Sequence, residues 1–233
     1  VFKLGVLGRV PDRQRIHLSH FSDLGVRYPG QALAFPLALR AHAYGHGVGA
    51  RNVRVLGPHK EVVGAGHAVQ QAIHNCDSES TVLVLFGDVP LIHRDSLDEV
   101  IRAASSGMAM LSSHVPDPTG YGRVLRDAEG AFQGVVEERD ATADQRRLSE
   151  INTGVLAAPA AAFCQYLERL TNDNAQGEYY LPEVLKLARE DGATVTVVQS
   201  DRALDCLGVN TPQQLEQLER LHQGALADQL MSQ

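Results

Sequence analysis

The chain has 233 residues, 44% of them hydrophobic, which suffices for the core of one large α/β domain or two small ones, and we favour one domain. The net charge of -7, without a long basic tract, argues against nucleic acid as a partner and favours a small-molecule substrate. No apolar run approaches the roughly 18 residues of a membrane span, and three widely spaced cysteines form neither a disulfide framework nor a zinc motif, so we expect a cytoplasmic protein.

Residues 1–60 differ from the rest of the chain in charge. They hold nine Lys/Arg and two acidic residues, a net charge of +7, whereas the remainder carries -14. This segment shows no sustained helical or strand period, and its best strand candidates are residues 4–7 and 52–56. One interpretation is an irregular basic lobe. The other is that the segment does not belong to the coding frame of the rest.

From residue 61 onward, strand and helix patterns alternate. Thr81–Phe86, TVLVLF, is an apolar and β-branched run typical of a central parallel strand that helices cover on both faces. Further strands are predicted at 108–112, 151–157 and 194–199, and a hairpin at 122–126 and 132–137. Helices are predicted at 95–104, 160–170, 181–190 with Pro182 in the first turn, and from Thr211 onward, where T-P-Q-Q is a capping box. This alternation predicts a mostly parallel α/β sheet with an inserted hairpin.

Polar residues stand where several of these strands are expected to end. Asp88 follows TVLVLF, Glu137 ends GVVEE, Asn152 lies in EINTGVL, and Asn210 precedes the last helix. Each has a structural alternative: a turn or helix cap for Asp88, a solvated charge for Glu137, and turn residues for the two asparagines. Because ligands of α/β sheets bind at the carboxyl ends of the strands, the four together favour a ligand site.

Two glycine loops accompany these residues. GAGHA at 64–68 precedes a helical stretch whose first amides suit a base edge or a phosphate, although a short G-x-G is weak evidence and His67 is more typical of a cap or core histidine than of a base. DPTGYGR at 117–123 is a tight loop that lets a ligand approach the backbone, or simply a turn.

These motifs together resemble a known family. GAGHAVQQA, LFGDVPLI, DPTGYGRV, GVVEERDAT, EINTGVL, NDNAQGEYYLPEV and GVNTPQQL occur in the order of the uridyltransferase domain of bifunctional N-acetylglucosamine-1-phosphate uridyltransferase/glucosamine-1-phosphate acetyltransferase. The resemblance covers residues 59–233. It implies a nucleotide-diphospho-sugar transferase fold and the reaction of UTP with N-acetylglucosamine 1-phosphate, giving UDP-N-acetylglucosamine, a cell-wall precursor, and pyrophosphate.

The resemblance also implies roles for single residues. It makes Asp88 and Asn210 the ligands of a catalytic Mg²⁺, an ion that prefers one or two protein oxygens. Residues matching nucleotide and sugar contacts are Gly64 and Ala65 at the uracil, Phe86 and Gly87 beside nucleotide and sugar, and Gly122, Glu137 and Asn152 at the N-acetylglucosamine moiety. Tyr179 and Tyr180, in QGEYY, are expected to shape the sugar side of the pocket. Ala65 stands where the family has threonine, and Phe86 where tyrosine is usual.

The first segment departs from the family. The family opens with a glycine-rich loop, L-A-A-G-x-G-T, that cradles the triphosphate; GVLGRV at 5–10 is the nearest stretch and does not match, and His59 replaces the uracil-reading glutamine. We hypothesise that residues 1–58 are read out of frame or came from a different segment. If they stand as written, the triphosphate cradle is absent and turnover should be weak or nil. The family continues beyond a point near Gln233 into a β-helix acetyltransferase domain that builds a trimer, so acetyltransfer is expected to be absent and the chain monomeric.

Two alternatives stay open. The chain could be a noncatalytic module that binds UDP-N-acetylglucosamine, or a nucleotidyltransferase for another sugar 1-phosphate such as that of galactose or glucose. Binding without turnover would favour the first, and a panel of sugar phosphates separates the second.

Overall fold

The computed structural model describes residues 4–9, 50–56, 63–74, 76–209 and 211–232. Within them the chain forms eight strands: β1 Leu4–Arg9, β2 Ala50–Leu56, β3 Thr81–Phe86, β4 Met108–His114, β5 Arg123–Arg126, β6 Phe132–Val136, β7 Glu150–Pro159 and β8 Val195–Ser200. Five helices accompany the strands: α1 Gly64–Ile73, α2 Arg94–Ala103, α3 Ala160–Leu167, α4 Glu183–Glu190 and α5 Pro212–Met231. Short 3₁₀ turns lie at Ala104–Ser106, Gln145–Arg147 and Ala203–Cys206.

The predicted elements are present, with small shifts at their ends. The two apolar runs of the first segment form β1 and β2, and β1 pairs with both β2 and β3. The predicted capping box begins α5, where Thr211 accepts a hydrogen bond from the Gln214 amide and Gln214 accepts one from the Thr211 amide. α4 begins at Glu183, later than predicted. Pro182 therefore occupies the N-cap position and not the first turn of the helix.

The expectation of a mostly parallel sheet is wrong. The strand order is β2-β1-β3-β7-β4-β8, and among the described strands only β4 and β8 pair in parallel. β7 enters between β3 and β4 in the opposite direction and pairs antiparallel with both. The apolar run of β3 reflects burial on both faces, which helices provide whatever the direction of the neighbouring strands.

The sheet is covered on both faces, and successive residues of a strand point to opposite cores. From β3, Val82 and Val84 enter a large core with α1, α3 and α4, whereas Leu83 enters a smaller core with α2. Met110 and Leu111 of β4 divide in the same way. Hydrophobic cores on both faces make the sheet the rigid centre of the fold.

The predicted hairpin forms β5 and β6, closed by a turn at Asp127 and Gly130. The Asp127 amide donates to the carbonyl of Ala131 at 2.9 Å, and its carboxylate accepts from the Ala131 amide at 2.7 Å. β5 also pairs with β7 at Arg123 and Ile151. The hairpin is therefore attached to the main sheet at the point where β7 begins.

Candidate functional site

Two of the polar residues predicted as a site, Asp88 and Asn152, lie at the same edge of the sheet. Asp88 follows the carboxyl end of β3, whereas Asn152 lies near the amino end of β7. Because β7 runs antiparallel, its beginning lies at the same edge as the end of β3: Val84 pairs with Leu156, and Ser112 near the end of β4 pairs with Asn152. The sequence predicted that Asn152 lies at this edge, but at the carboxyl end of a parallel strand. In the structure it lies near the amino end of an antiparallel one.

Asp88 lies in a turn beside the segment that leads to the last helix. The amide of Val209 donates to the carbonyl of Asp88 at 2.7 Å, and a Cβ on Gly208 would lie 3.8 Å from that same oxygen. Asn210, the second predicted magnesium ligand, lies outside the described residues. The residue that precedes it is nevertheless hydrogen-bonded to the first predicted ligand, across more than 120 positions of sequence.

Phe86 connects this turn to the EINTG motif. Gly154 adopts φ +83°, and a Cβ there would overlap the ring of Phe86. The oxygen of the Asn152 side chain accepts from the Gly154 amide at 3.0 Å, which fixes the Asn152 side chain over the same turn. The glycine of EINTG therefore leaves the space that the Phe86 ring occupies.

Gly122, Glu137 and Asn152, predicted to hold a sugar, lie together. The Asn152 amide donates to the Gly122 carbonyl at 2.8 Å. A Cβ on Gly122 would lie 3.1 Å from Oε1 of Glu137. The absence of a side chain at residue 122 therefore leaves room for the Glu137 carboxyl, at the point where β5, β6 and β7 converge.

Glu137 is perturbed in this position. Burial raises the pKa of its carboxyl, and the negative charges of Asp140, Glu178 and Glu183 raise it further, while the Arg123 guanidinium acts weakly in the opposite direction. Of the alternatives left open by the sequence, the structure does not support a solvated edge charge. A carboxyl in this setting can accept hydrogen bonds from a polar ligand that replaces water.

The GAGHA motif forms the first turn of α1 and is held by the QGEYY segment. Gly66 donates its amide to the carbonyl of Tyr179 at 2.8 Å, and Tyr179 donates its amide to the carbonyl of Val63 at 3.0 Å. Gly64 has φ +89°, and a Cβ there would lie 2.9 Å from the Tyr179 carbonyl. His67 accepts from the Val63 amide at 3.2 Å, so it caps the helix as one interpretation expected.

Tyr180 joins the QGEYY segment to the loop after Glu137. Its hydroxyl donates to Asp140 at 3.0 Å and accepts from the Gln176 side chain at 2.9 Å. The other oxygen of Asp140 accepts from the Ala175 amide at 3.0 Å. Tyr180 therefore links the QGEYY segment to the loop after Glu137. Asp140 accepts hydrogen bonds from both Tyr180 and Ala175, and the sequence analysis assigned it no role.

Arg123 is a second residue that sequence reasoning missed. Its side chain is only 1% exposed, pairs with Glu138 at 2.7 Å and donates to the carbonyls of Tyr121 and Leu148. It fixes the backbone on one side of Gly122. Arg123 is the last residue of DPTGYGR, but an arginine at the start of a strand is exposed in most proteins, so its burial was not expected.

The fold belongs to a known class. The solved structure of a Bacillus anthracis protein assigned as a glucose-1-phosphate thymidylyltransferase matches this chain with a TM-score of 0.50 and 16% sequence identity, covering 69% of this chain and 61% of that one. At this identity the likeness concerns the fold alone. The chain thus has a nucleotide-sugar transferase fold: a central sheet flanked by helices.

Sequence comparison finds relatives at much higher identity. The chain is 48% identical to the bifunctional protein GlmU of Paracidovorax citrulli over 172 residues, 73% of this chain and 36% of that protein. GlmU of Aromatoleum aromaticum is 45% identical over 210 residues, 86% of this chain and 46% of that protein. The resemblance seen in the motifs is therefore confirmed: the chain is a homologue of part of GlmU. No family model matches the chain.

The chain spans less than half the length of these relatives. The alignment to the Aromatoleum protein covers 86% of the chain, whereas residues 59–233 make up three quarters of it. The alignment therefore takes in part of the first segment.

Proposed function

We propose that this chain transfers the uridylyl group of UTP to N-acetylglucosamine 1-phosphate, giving UDP-N-acetylglucosamine and pyrophosphate. The observation that carries the proposal is the grouping of Gly122, Glu137 and Asn152 at the sheet edge that also holds Asp88. Relatives named bifunctional protein GlmU at 45–48% identity support the same assignment. The product is a precursor of the cell wall, and the reaction belongs in the cytoplasm.

The chemistry needs positioned groups and no covalent nucleophile. An oxygen of the sugar phosphate attacks the α-phosphorus of UTP, a new P–O bond forms, and the bond to the bridging oxygen of the β-phosphate breaks as pyrophosphate leaves. Two anions must approach in line, so binding and orientation supply most of the rate.

Asp88 and Asn210 are the proposed ligands of Mg²⁺. A carboxylate and an amide oxygen are hard ligands of the kind that Mg²⁺ takes, in the small number that it takes from proteins. The hydrogen bond from the Val209 amide to the Asp88 carbonyl supports this proposal, because Val209 directly precedes Asn210 in the sequence. When bound, the ion would offset the repulsion between the two phosphate groups.

The sugar and the base are assigned to opposite parts of the same edge. We propose that Glu137 and the Asn152 side chain accept and donate hydrogen bonds at the N-acetylglucosamine moiety, that the backbone at Gly122 lies against it, and that Phe86 and Gly87 line the space between sugar and nucleotide. Selectivity would come from these polar groups, which are left unpaired when a ligand lacks the matching hydroxyl or N-acetyl group.

Gly64 and Ala65 are the proposed contacts to uracil. Both lie in the first turn of α1, and backbone amides at the start of a helix suit a base edge or a phosphate. Ala65 lacks the hydroxyl that the family has there, so one contact to the base is expected to be weaker. We propose that the partners are these small molecules alone, without nucleic acid or a membrane, and that the chain is a monomer.

A panel of sugar 1-phosphates tests the proposal. Pyrophosphate release should be fastest with UTP and N-acetylglucosamine 1-phosphate, and at least tenfold slower with glucose or galactose 1-phosphate, because the N-acetyl group would no longer pair with the polar groups of the site. Equal rates with all three would contradict the assignment of the sugar. Binding of UDP-N-acetylglucosamine without any turnover would instead make the chain a noncatalytic binder.

A further inference from the structure

A buried carboxylate outside the proposed substrate site joins two distant parts of the chain. Asp205 is 0% exposed and lies in the 3₁₀ turn Ala203–Cys206. One carboxylate oxygen accepts from the backbone amide of His93 at 2.6 Å. The other accepts from the hydroxyls of Ser96 and of Ser200, the latter at 2.7 Å.

Its partners are backbone and hydroxyl groups. None of the ion pairs between described residues includes Asp205. A buried carboxylate costs free energy unless hydrogen bonds satisfy it. Here two donors come from the start of α2 and one from the end of β8, and they satisfy it only when these two elements hold one arrangement. The carboxylate therefore fixes the relative position of the start of α2, the end of β8 and its own turn.

The two segments that Asp205 joins are the ones that carry the proposed magnesium ligands. His93 follows Asp88 by five residues, and Asn210 follows Asp205 by five residues. Beyond Asp205 the chain returns to Asp88, where the Val209 amide bonds the Asp88 carbonyl. A further bond, from the Tyr121 hydroxyl to the Cys206 carbonyl at 3.2 Å, attaches the same turn to the Gly122 loop.

We propose that Asp205 is a positioning residue that holds the Asp88 turn and the 207–209 segment together and thereby sets the affinity of the site for the divalent cation. This inference rests on the proposed function. Asp205 is assigned no contact with substrate or metal; it acts through the two segments that it connects, as outer-shell partners do at metal sites.

The first test measures the metal directly in Asp205→Ala. Mn²⁺ is titrated into protein saturated with UDP-N-acetylglucosamine, and free Mn²⁺ is read by electron paramagnetic resonance. We expect affinity for Mn²⁺ to fall about 10–100-fold in Asp205→Ala, the range known for the loss of an outer-shell partner. Asp205→Asn keeps an oxygen for the His93 amide and a group that the serine hydroxyls can pair with, so it should restore most of the affinity.

Glu150→Ala is the matched control. Glu150 is also a buried carboxylate, paired with Arg126 at 2.7 Å and with the Ser112 hydroxyl at 2.8 Å, but it does not bond the segments around Asp88 and Val209. It should lower the melting temperature and leave Mn²⁺ affinity unchanged. An Asp205→Ala protein that is less stable but binds Mn²⁺ as the wild type does would overturn the inference, since Asp205 would then act on stability alone.

A second readout does not depend on turnover. Exchange of the Val209 amide hydrogen should be faster in Asp205→Ala, because that amide would lose its fixed partner on Asp88; unchanged protection would overturn the inference. Should Asp205→Ala not fold, Ser200→Ala removes one of the three donors, and a smaller shift in the same two readouts is expected. A wild type that binds Mn²⁺ but releases no pyrophosphate would refute the proposed function while leaving this inference intact.

Discussion

Glycines without space for a side chain define much of the site at the residue scale. Gly64 and Gly154 have positive φ, and each is closed in by a neighbouring residue of the site: the Tyr179 backbone and the Phe86 ring, respectively. Gly122 leaves room for the Glu137 carboxyl. Small residues at these positions are required by the packing around them, which distinguishes them from glycines in open turns.

Gly154→Ala tests this packing, with Gly130→Ala as the control. Gly130 has a similar φ but open space at the position of a Cβ. Gly130 has φ +84° with nothing within 4 Å of the position that a Cβ would take, so Gly130→Ala should cost about 1–2 kcal/mol for the left-handed conformation alone. Gly154→Ala should cost a further ~1–3 kcal/mol, because the methyl group would overlap the Phe86 ring. Urea unfolding measures both; equal losses would mean that Phe86 moves aside freely.

Glu137→Gln tests the carboxyl in the proposed sugar site. Burial raises the pKa of Glu137, so the folded state holds the proton of this carboxyl more tightly than the unfolded state does. The stability that this proton contributes is complete below about pH 4.3, the ordinary pKa, and is lost as the pH rises through the raised pKa. The variant should therefore be more stable than the wild type at neutral pH, with the difference vanishing in acid. Unfolding free energies measured at a series of pH values check this.

The same variant should bind UDP-N-acetylglucosamine about tenfold more weakly, since it loses a charged acceptor. A gain in stability together with a loss of affinity is what a residue kept for binding should show. Glu137→Gln with unchanged affinity in calorimetry would remove Glu137 from the sugar site.

At the scale of elements, local signals predicted where helices and strands lie but not how the strands pair. The apolar run of β3, the Asp127 turn of the hairpin and the capping box at Thr211 each act within a few residues, so the sequence alone locates them. The reversed direction of β7 depends on how the chain returns from the hairpin to the gap between β3 and β4. No short stretch of sequence encodes that return.

The same limit applies to the site. Asp88, Gly122, Glu137 and Asn152 were predicted from motifs, and Gly122, Glu137 and Asn152 lie together as expected. Arg123 and Asp205 were missed, because a buried charged residue has the same sequence signal as an exposed one until the fold places its partners around it. Supporting residues of this kind become visible only in three dimensions.

Thr211→Ala tests the helix that follows the proposed metal ligand. Its hydroxyl accepts from the Gln214 amide at 3.2 Å in a capping box, and losing a cap of this kind costs about 1 kcal/mol. Because Leu218 is the buried hydrophobic residue that α5 contributes to the core among its described side chains, capping matters more here than packing. Thr211→Ser should keep the stability; a serine variant as weak as the alanine variant would contradict the cap's role.

At the scale of the whole molecule, the first segment is the part that the family motifs do not cover, although the alignment to the Aromatoleum protein takes in part of it. β1 and β2 pair in the sheet beside β3, yet the segment lacks the glycine-rich signature, and its residues 10–49 lie outside the described part. We propose that residues 1–58 are a separate, anomalous segment, read out of frame, and that 59–233 form the nucleotidyltransferase domain. Resequencing the DNA decides: if neither alternative frame encodes the glycine-rich loop, the frameshift is ruled out.

Among the helices that the structure describes, none has the length and hydrophobicity of a membrane span.

The proposed role of the molecule depends most on one activity. The decisive measurement is pyrophosphate release from UTP and N-acetylglucosamine 1-phosphate with Mg²⁺, in the wild type and in Asp88→Ala.

We predict release that is weak, because the glycine-rich loop is missing, but that depends on Mg²⁺ and disappears in Asp88→Ala. The variant should be folded and still able to bind UDP-N-acetylglucosamine through Glu137 and Asn152. Release that is equal in both proteins would contradict the placement of the metal at Asp88. No release from the wild type under saturating substrates would contradict the proposed transfer itself.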